Sequence, residues 1–386
     1  MIIRRDIEAA LLKAAKTHPV VTVFGPRQSG KTTLVRSAFP KCRYVNLENP
    51  KDRRLAMDDP EAFFAHYGSP LVIDEVQRVP ELLSWIQVRV DESRRKGEYV
   101  LTGSHQPLLK EKVSQSLAGR TALITLLPFS IAELRRAKVA IRRDELLYKG
   151  FLPRIYADRI NATTANEEYY RTYVERDVRQ LVQVENQASF ETFVRLLAGR
   201  VGQVVNFQSL SNDVGVDAKT LKRWMSVLEA SYVVFHLQPY YRNFGKRLVK
   251  SPKVYFTDVG LVSYLLGITE PKQVARDPLF GGLFENMVVV EMLKTKFNFQ
   301  KRVDFFYFRD NGGVEVDLVV EKGRKLHLYE IKGAMTPDKS FGRNMEKLRK
   351  CSADVETSNV IYSGEDWPLG NDGRFINFGE IVKTLD

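Results

Sequence analysis

Short apolar runs, set off by glycine and polar residues, recur through the first third of the chain. They are "VVTVF" at 20–24, "LVI" at 71–73, "EYVLTGSH" at 98–105 and a further run after Arg120. Each reads as a strand, and the opening "MIIRRDIEAALLKAAKTH" reads as a short amphipathic helix leading into the first of them. Gly and Pro punctuate "LYKGFLPRIYADR" (147–159) and mark a boundary near residue 150. Beyond it, "EEYYRTYVERDVRQLVQV" carries Tyr170, Tyr173, Val174, Val178 and Leu181 at helical spacing. The next segment has the grammar of a helix-turn-helix. Asn206 caps a short helix, Gly215 breaks it, and Asp217 caps a second helix whose core face is Leu221, Trp224, Met225 and Leu228.

From residue 271 the pattern changes again. The helix in "PLFGGLFENMVVVEMLKTKF" aligns Glu285 with Val288, Val289 and Met292, so a carboxylate shares an apolar face. "RVDFFYFRD" is a strand, and "GVEVDLVVEKGRKLHLYEIKG" is a hairpin turning at Lys322–Gly323. A helix in "DKSFGRNMEKLRKC" and a strand in "SNVIYSG" complete the order. The pattern predicts an α/β multidomain chain divided as 1–150, 151–270 and 271–386.

The first of these segments carries G-x-x-x-x-G-K-[ST] at Gly25, Gly30, Lys31 and Thr32, between a strand and a helix. In that setting the loop Gly25, Pro26, Arg27, Gln28, Ser29, Gly30, Lys31, Thr32 and Thr33 wraps nucleotide phosphates with backbone N–H groups. Lys31 then reaches the β- and γ-phosphates, and the Thr32 hydroxyl ligates Mg²⁺. The strand at 71–73 ends in Asp74 and Glu75, one acid to hold Mg²⁺ through water and one to activate the attacking water. Thr102 and Ser104 end the third strand, where they can sense the γ-phosphate. Arg120 has two open readings, contact with a nucleotide (its own or a neighbouring subunit's) or a surface ion pair.

In the last segment, alternation puts Asp317 on a face with Glu315, and Glu330 and Lys332 on a face with Leu326 and Leu328. Reflection about the turn brings Asp317 beside Glu330. Asp317 and Glu330, with Glu285 from the preceding helix, form a candidate site for a second Mg²⁺ or Mn²⁺, and Lys332 a candidate catalytic cation. The other open reading is an ion network that binds DNA or partners without cutting.

Charge sharpens the partner expectation. The net formal charge of +12 over 386 residues favours a polyanion, with double-stranded DNA first. It clusters at Arg242, Lys246, Arg247, Lys250 and Lys253, read as the basic loop of a wing, and at Lys219, Lys222 and Arg223 on the second helix of the helix-turn-helix. The rival is a structural lid with solvated lysines. Runs such as "MVVVEML" are too short to span a bilayer, and no secretory signal is read at the start, so no membrane partner and a cytoplasmic location are expected. Cys42 and Cys351 read as free thiols.

Taken together, "FGPRQSGKTTL", "LVIDEVQRVP", "LTGSHQ", "SLAGR", "YVERDV", "FTDVGL", "FENMVVVEML" and "EVDLVV…YEIKG" resemble the bacterial and archaeal AAA-type ATPases of the AAA+ superfamily that end in a domain of unknown function. The resemblance implies a RecA-like P-loop ATPase core, bound ATP and Mg²⁺, and a homo-oligomer, side by side or in a ring. The chain departs from many AAA+ proteins in offering Thr102 and Ser104 where they carry a sensor Asn. The D…E-x-K arrangement after a helical Glu resembles the PD-(D/E)xK nuclease fold, which implies a restriction-endonuclease-like terminal domain. An ATP-controlled signalling or defence switch and a chaperone-like assembly stay open beside the DNA-directed reading.

Overall fold

β1 (Val20–Gly25) is buried along its whole length because its two faces feed different cores. Val21 and Val23 pack with Leu11, Leu34, Val72, Val100 and Ile124, whereas Val20 and Phe24 pack with Phe63, Leu71, Ile73, Tyr99 and Leu101. Side chains alternate across a strand, so burial at every position means a sheet covered on both sides. β2 (Arg43–Asn46), β3 (Leu71–Asp74), β4 (Tyr99–Ser104) and β5 (Thr121–Thr125) complete a five-stranded sheet in the order β2-β3-β4-β1-β5. Every pairing in it is parallel. β4 lies between β1 and β3, with Gly25 opposite Ser104 and Asn46 opposite Asp74. The ends of these strands therefore meet at one edge, where ligands of open parallel sheets bind.

The computed structural model describes residues 2–104, 113, 115–179, 186–241, 251–370 and 373–385. They fall into two units, one of residues 1–129 with 230–232 and 297–300, the other of residues 130–229, 233–296 and 301–386.

The second unit holds an eight-stranded sheet. Its strands are β6 (Val234–Pro239), β7 (Lys253–Phe256), β8 (Asp304–Arg309), β9 (Glu315–Lys322), β10 (Lys325–Lys332), β11 (Val355–Tyr362), β12 (Trp367–Leu369) and β13 (Gly373–Asn377). They run in the order β12-β13-β11-β10-β9-β8-β6-β7. The β9–β10 hairpin turns at Gly323, whose φ of 65° suits a residue without a Cβ. Its register sets Leu328 opposite Val319 and Tyr329 opposite Leu318, and just beyond it the Ile331 amide donates to Asp317 Oδ2 at 2.9 Å. Helix Phe280–Asn298 precedes β8, and helix Arg343–Arg349 separates β10 from β11.

Helices Phe207–Val214 and Ala218–Ala230 meet at left-handed Gly215. Asn206 accepts from the amides of Gln208 and Ser209, and Asp217 from those of Lys219 and Thr220. Leu221, Trp224, Met225 and Leu228 are buried as the spacing requires. Residues Tyr170–Val178 form a π-helix rather than a regular α-helix.

Two expectations change. The hairpin read as a separate wing joins the terminal sheet, because Gln238 and Pro239 of β6 pair with Phe306 and Tyr307 of β8. That pairing supplies partners to backbone that a free β8 edge would leave open. Residues 130–150, expected with the first domain, belong to the second unit. Of the basic loop, Arg242, Lys246, Arg247 and Lys250 lie outside the described residues, as do Leu181 and the side chains of Arg176 and Asp177. Leu328 is fully buried against Met345 and Val360 in the terminal core. Leu328→Ala should cost about 2–5 kcal/mol, read as an earlier denaturation midpoint for the second unit.

Candidate functional site

Gly25 ends β1 because nothing larger fits: a Cβ there would lie 2.0 Å from the Leu126 carbonyl oxygen. The chain then loops through Gln28 (φ 60°) to Gly30 (φ 91°), which caps helix Lys31–Ala38. Lys31 folds back over this loop, its Nζ donating to the carbonyls of Gly25 (3.1 Å) and Pro26 (2.8 Å). Arg5 braces the loop from the N-terminal segment, donating to the carbonyls of Ser29 (2.7 Å) and Leu127 (2.6 Å). Gln28 Oε1 and Ser29 Oγ are buried without hydrogen-bond partners. Orphaned buried oxygens of this kind are exceptions in folded proteins, and here they mark a place for a ligand. Thr33 is exposed on the helix's first turn.

Asp74, buried at the end of β3, is the hub of the site. Thr32 Oγ1 donates to its Oδ2 at 2.8 Å, Tyr44 OH to the same oxygen at 2.7 Å, and the Thr102 hydroxyl to Oδ1. All three donors are neutral hydroxyls. A hydroxyl beside a carboxylate is a hard-oxygen donor set, and it fits Mg²⁺ brought in with a nucleotide. Glu75 follows in the left-handed region (φ 58°), its amide donating to Thr102 Oγ1 at 3.3 Å. Its carboxylate accepts from the Gln77 amide, which also donates to Ser104 Oγ at 2.9 Å. Thr102 and Ser104 thus hold the two acids. Arg120 pairs with Asp91 through two bonds of 2.6 and 2.7 Å at the surface, the second of its two readings. The contacts of Arg5, Tyr44 and Gln77 carried no signal in the sequence; Gln77 lies within "LVIDEVQRVP", but nothing there singles it out.

The second unit gathers charge differently. Lys253, read from sequence as a loop cation, is a β7 residue only 2% exposed. Its Nζ lies 2.7 Å from Glu315 Oε1, 3.0 Å from Glu285 Oε1 and 3.8 Å from Asp317 Oδ1. Tyr255, also on β7, donates to Glu285 Oε1 at 2.5 Å. Lys332 lies 2.7 Å from Glu330 Oε1 and 3.7 Å from Asp317 Oδ2, and the Ile331 amide donates to that same Asp317 oxygen at 2.9 Å. Burial, with the nearby Asp317 charge, pushes Glu285 up to about 7 against the pull of Lys253, and Glu330 up to about 8 against that of Lys332. Burial opposes the Lys253 charge, but Tyr255, Glu285, Asp317 and Glu315 hold its pKa well above the usual value.

The structure brings Glu285, Asp317, Glu330 and Lys332 into one charged cluster, together with Lys253, which the sequence reading had left out of it. Among the described residues, no three His, Cys, Asp or Glu side chains are grouped to hold a metal ion. The expected second Mg²⁺ or Mn²⁺ site at Glu285, Asp317 and Glu330 does not fit this arrangement, because the ammonium of Lys253 stands among the acids. A buried carboxylate needs a hydrogen-bond donor or a positive partner, and here Lys253 of β7 supplies the charge. "KVYF" did hold a signal: Lys253 and Tyr255 alternate with Val254 and Phe256, so they share one face of a strand.

Residues 17–135 match the AAA domain family, residues 141–272 a domain of unknown function (DUF8612) and residues 280–380 another (DUF4143). Uncharacterised proteins of Mycobacterium tuberculosis and Mycobacterium bovis are each 33% identical over 393 residues, covering 100% of this chain and 86% of theirs. The chain belongs to this family of AAA-type P-loop ATPases. An uncharacterised protein of Haemophilus influenzae is 24% identical over 414 residues, covering 96% of this chain and 99% of its own. Among solved structures, a Walker-type ATPase of Pyrococcus abyssi aligns over 69% of this chain and 96% of its own, at a TM-score of 0.45 and 12% identity. AMPPCP-bound DnaA of Aquifex aeolicus aligns over 58% and 85%, at a TM-score of 0.31 and 15% identity. No helix among the described residues is long and apolar enough to cross a membrane.

In the AAA domain, burial lowers the Lys31 pKa to about 8, against the pull of Glu75 and Asp74 and with a further push from Arg27. Bound phosphates favour the ammonium form, so the liganded pKa is higher than the free one. Above about pH 8 the free protein must take up a proton to bind. ATP affinity should hold steady from pH 7 to 8 and then fall, approaching about tenfold per pH unit. Isothermal titration across pH 7–9.5 reads this directly, and in Lys31→Met the weakened affinity should be flat.

Proposed function

We propose that this ATPase hydrolyses Mg²⁺-bound ATP at the AAA-domain site and binds double-stranded DNA through its helix-turn-helix. The observation that carries the first part is the Thr32–Asp74–Thr102 cluster with Glu75 beside it. The backbone N–H groups of the loop and the helix N-terminus bind the phosphates, and Lys31 turns from its loop carbonyls to the β- and γ-phosphates. Thr32 and Asp74 would hold Mg²⁺ arriving with the nucleotide, and the ion would supply positive charge against the phosphates. Glu75 takes the proton of the water that attacks the γ-phosphorus while the bond to the β–γ bridging oxygen breaks and ADP leaves, and Gln77 and Ser104 set the position of its carboxylate. Tyr44 and Thr102 keep Asp74 oriented.

For DNA, the support is the helix Ala218–Ala230. Its apolar residues are buried, and Lys219, Lys222 and Arg223 are exposed on the other side. That division suits a helix laid against a phosphate backbone. The terminal domain enters this reading as a DNA-side partner and not as a metal-dependent nuclease, because its acids surround lysines.

Glu75→Gln should keep ATP binding and lose about 10²-fold or more of turnover, whereas Lys31→Ala should lose both. Turnover surviving in both variants would remove the ATPase reading of this site. For DNA, fluorescence anisotropy at graded salt should show affinity falling as salt rises. Replacing Lys219, Lys222 and Arg223 by Ala should flatten the log–log slope by about 2–3. A slope unchanged by those replacements would leave the helix without this role.

A further inference from the structure

We propose that Lys253 is a built-in cation occupying, among Glu285, Glu315 and Asp317, the position that a divalent metal ion would otherwise take. The inference does not depend on the ATPase or DNA readings.

Three acids converge on its ammonium from two elements, Glu285 from helix Phe280–Asn298 and Glu315 and Asp317 from β9. The N–O separations of 2.7 to 3.8 Å are those of hydrogen bonds and ion pairs, longer than the roughly 2.0–2.6 Å of Mg²⁺ or Ca²⁺ to oxygen. The acids are thus spaced around an ammonium. The lysine is fixed in place: β7 pairs with β6 at Lys253–Leu237, Lys253 bridges Val204, and its ammonium lies 5.5 Å from the Tyr307 ring centroid. A tethered cation loses no translational freedom on entering the site, whereas a metal ion does.

A second observation shows that the centre has coordinating capacity it does not use. Glu330 is 6% exposed, its Oε1 is taken by Lys332, and its Oε2 is buried without a hydrogen-bond partner. The contrast with Asp74 is informative. There the donors are three hydroxyls, which leave negative charge for an incoming cation; here two lysines already supply positive charge. Removing Lys253 alone would expose a cluster rich in oxygen donors and short of cations.

The test is Mn²⁺ binding to the full chain without nucleotide, followed by loss of the free-Mn²⁺ electron paramagnetic resonance signal. Wild type should show no binding that Asp317→Asn removes. Lys253→Met should gain one site at least tenfold tighter than any seen in wild type, lost again when Asp317→Asn is added, and Lys253→Arg should gain none. Circular dichroism checks that each variant is folded. If Lys253→Met is not, adding Glu315→Gln reduces the unbalanced charge and the same Mn²⁺ reading decides. Asp317-dependent binding in wild type, or a folded Lys253→Met or Lys253→Met/Glu315→Gln chain that binds no more tightly than wild type, overturns the proposal.

Discussion

A buried carboxylate must be satisfied where it stands, and the chemistry of each unit follows from how this is done. Leaving such a group unpaired costs several kcal/mol. Asp74 is answered by the hydroxyls of Thr32, Tyr44 and Thr102. Glu285, Glu315, Asp317 and Glu330 are answered by the ammonium groups of Lys253 and Lys332. Hydroxyls stabilise a carboxylate without cancelling its charge. Ammonium groups cancel it. One centre therefore remains suited to a cation that arrives with a ligand, and the other carries its own.

The folds around these centres serve the two solutions. In the first unit, β4 separates β1 from β3, which sets the P-loop and Asp74 on either side of Thr102 and Ser104. Apolar residues on both faces lock the strands, so their ends hold polar groups at defined separations. Arg5 and the close approach at Gly25 keep the loop itself in shape. In the second unit, the β6–β7 hairpin attaches to β8 and brings Lys253 to the acids of β9 and of helix Phe280–Asn298. A segment expected to be an independent wing thereby becomes part of the terminal sheet's charge balance.

Electrostatics also sets how each centre responds. Lys31 is buried beside carboxylates yet held to a pKa of about 8, so it gains most from a phosphate that favours its charge. Glu75, strained into the left-handed region and held by Gln77 and Ser104, is poised beside that site. Glu285 and Glu330 respond oppositely. Burial raises both toward neutrality or above, so part of their negative charge is removed by protons and part by lysine.

The sequence alone determined whatever is encoded by neighbours along the chain. Gly25–Thr33 announces its loop because phosphate binding needs those residues at that spacing, and Asp74–Glu75 follows an apolar run too short to be anything but a strand end. The caps at Asn206 and Asp217 and the hairpin turn at Lys322–Gly323 were legible for the same reason, since helix ends and hairpin turns are local geometry. Tertiary structure alone decided which distant side chains answer each buried charge. Tyr44 reaches Asp74 from the neighbouring strand, and Lys253 reaches Glu285, 32 positions away, because a hairpin joins a sheet that its own residues do not specify. Spacing can place a carboxylate at a strand end, but only the packed fold determines whether a hydroxyl or an ammonium meets it there.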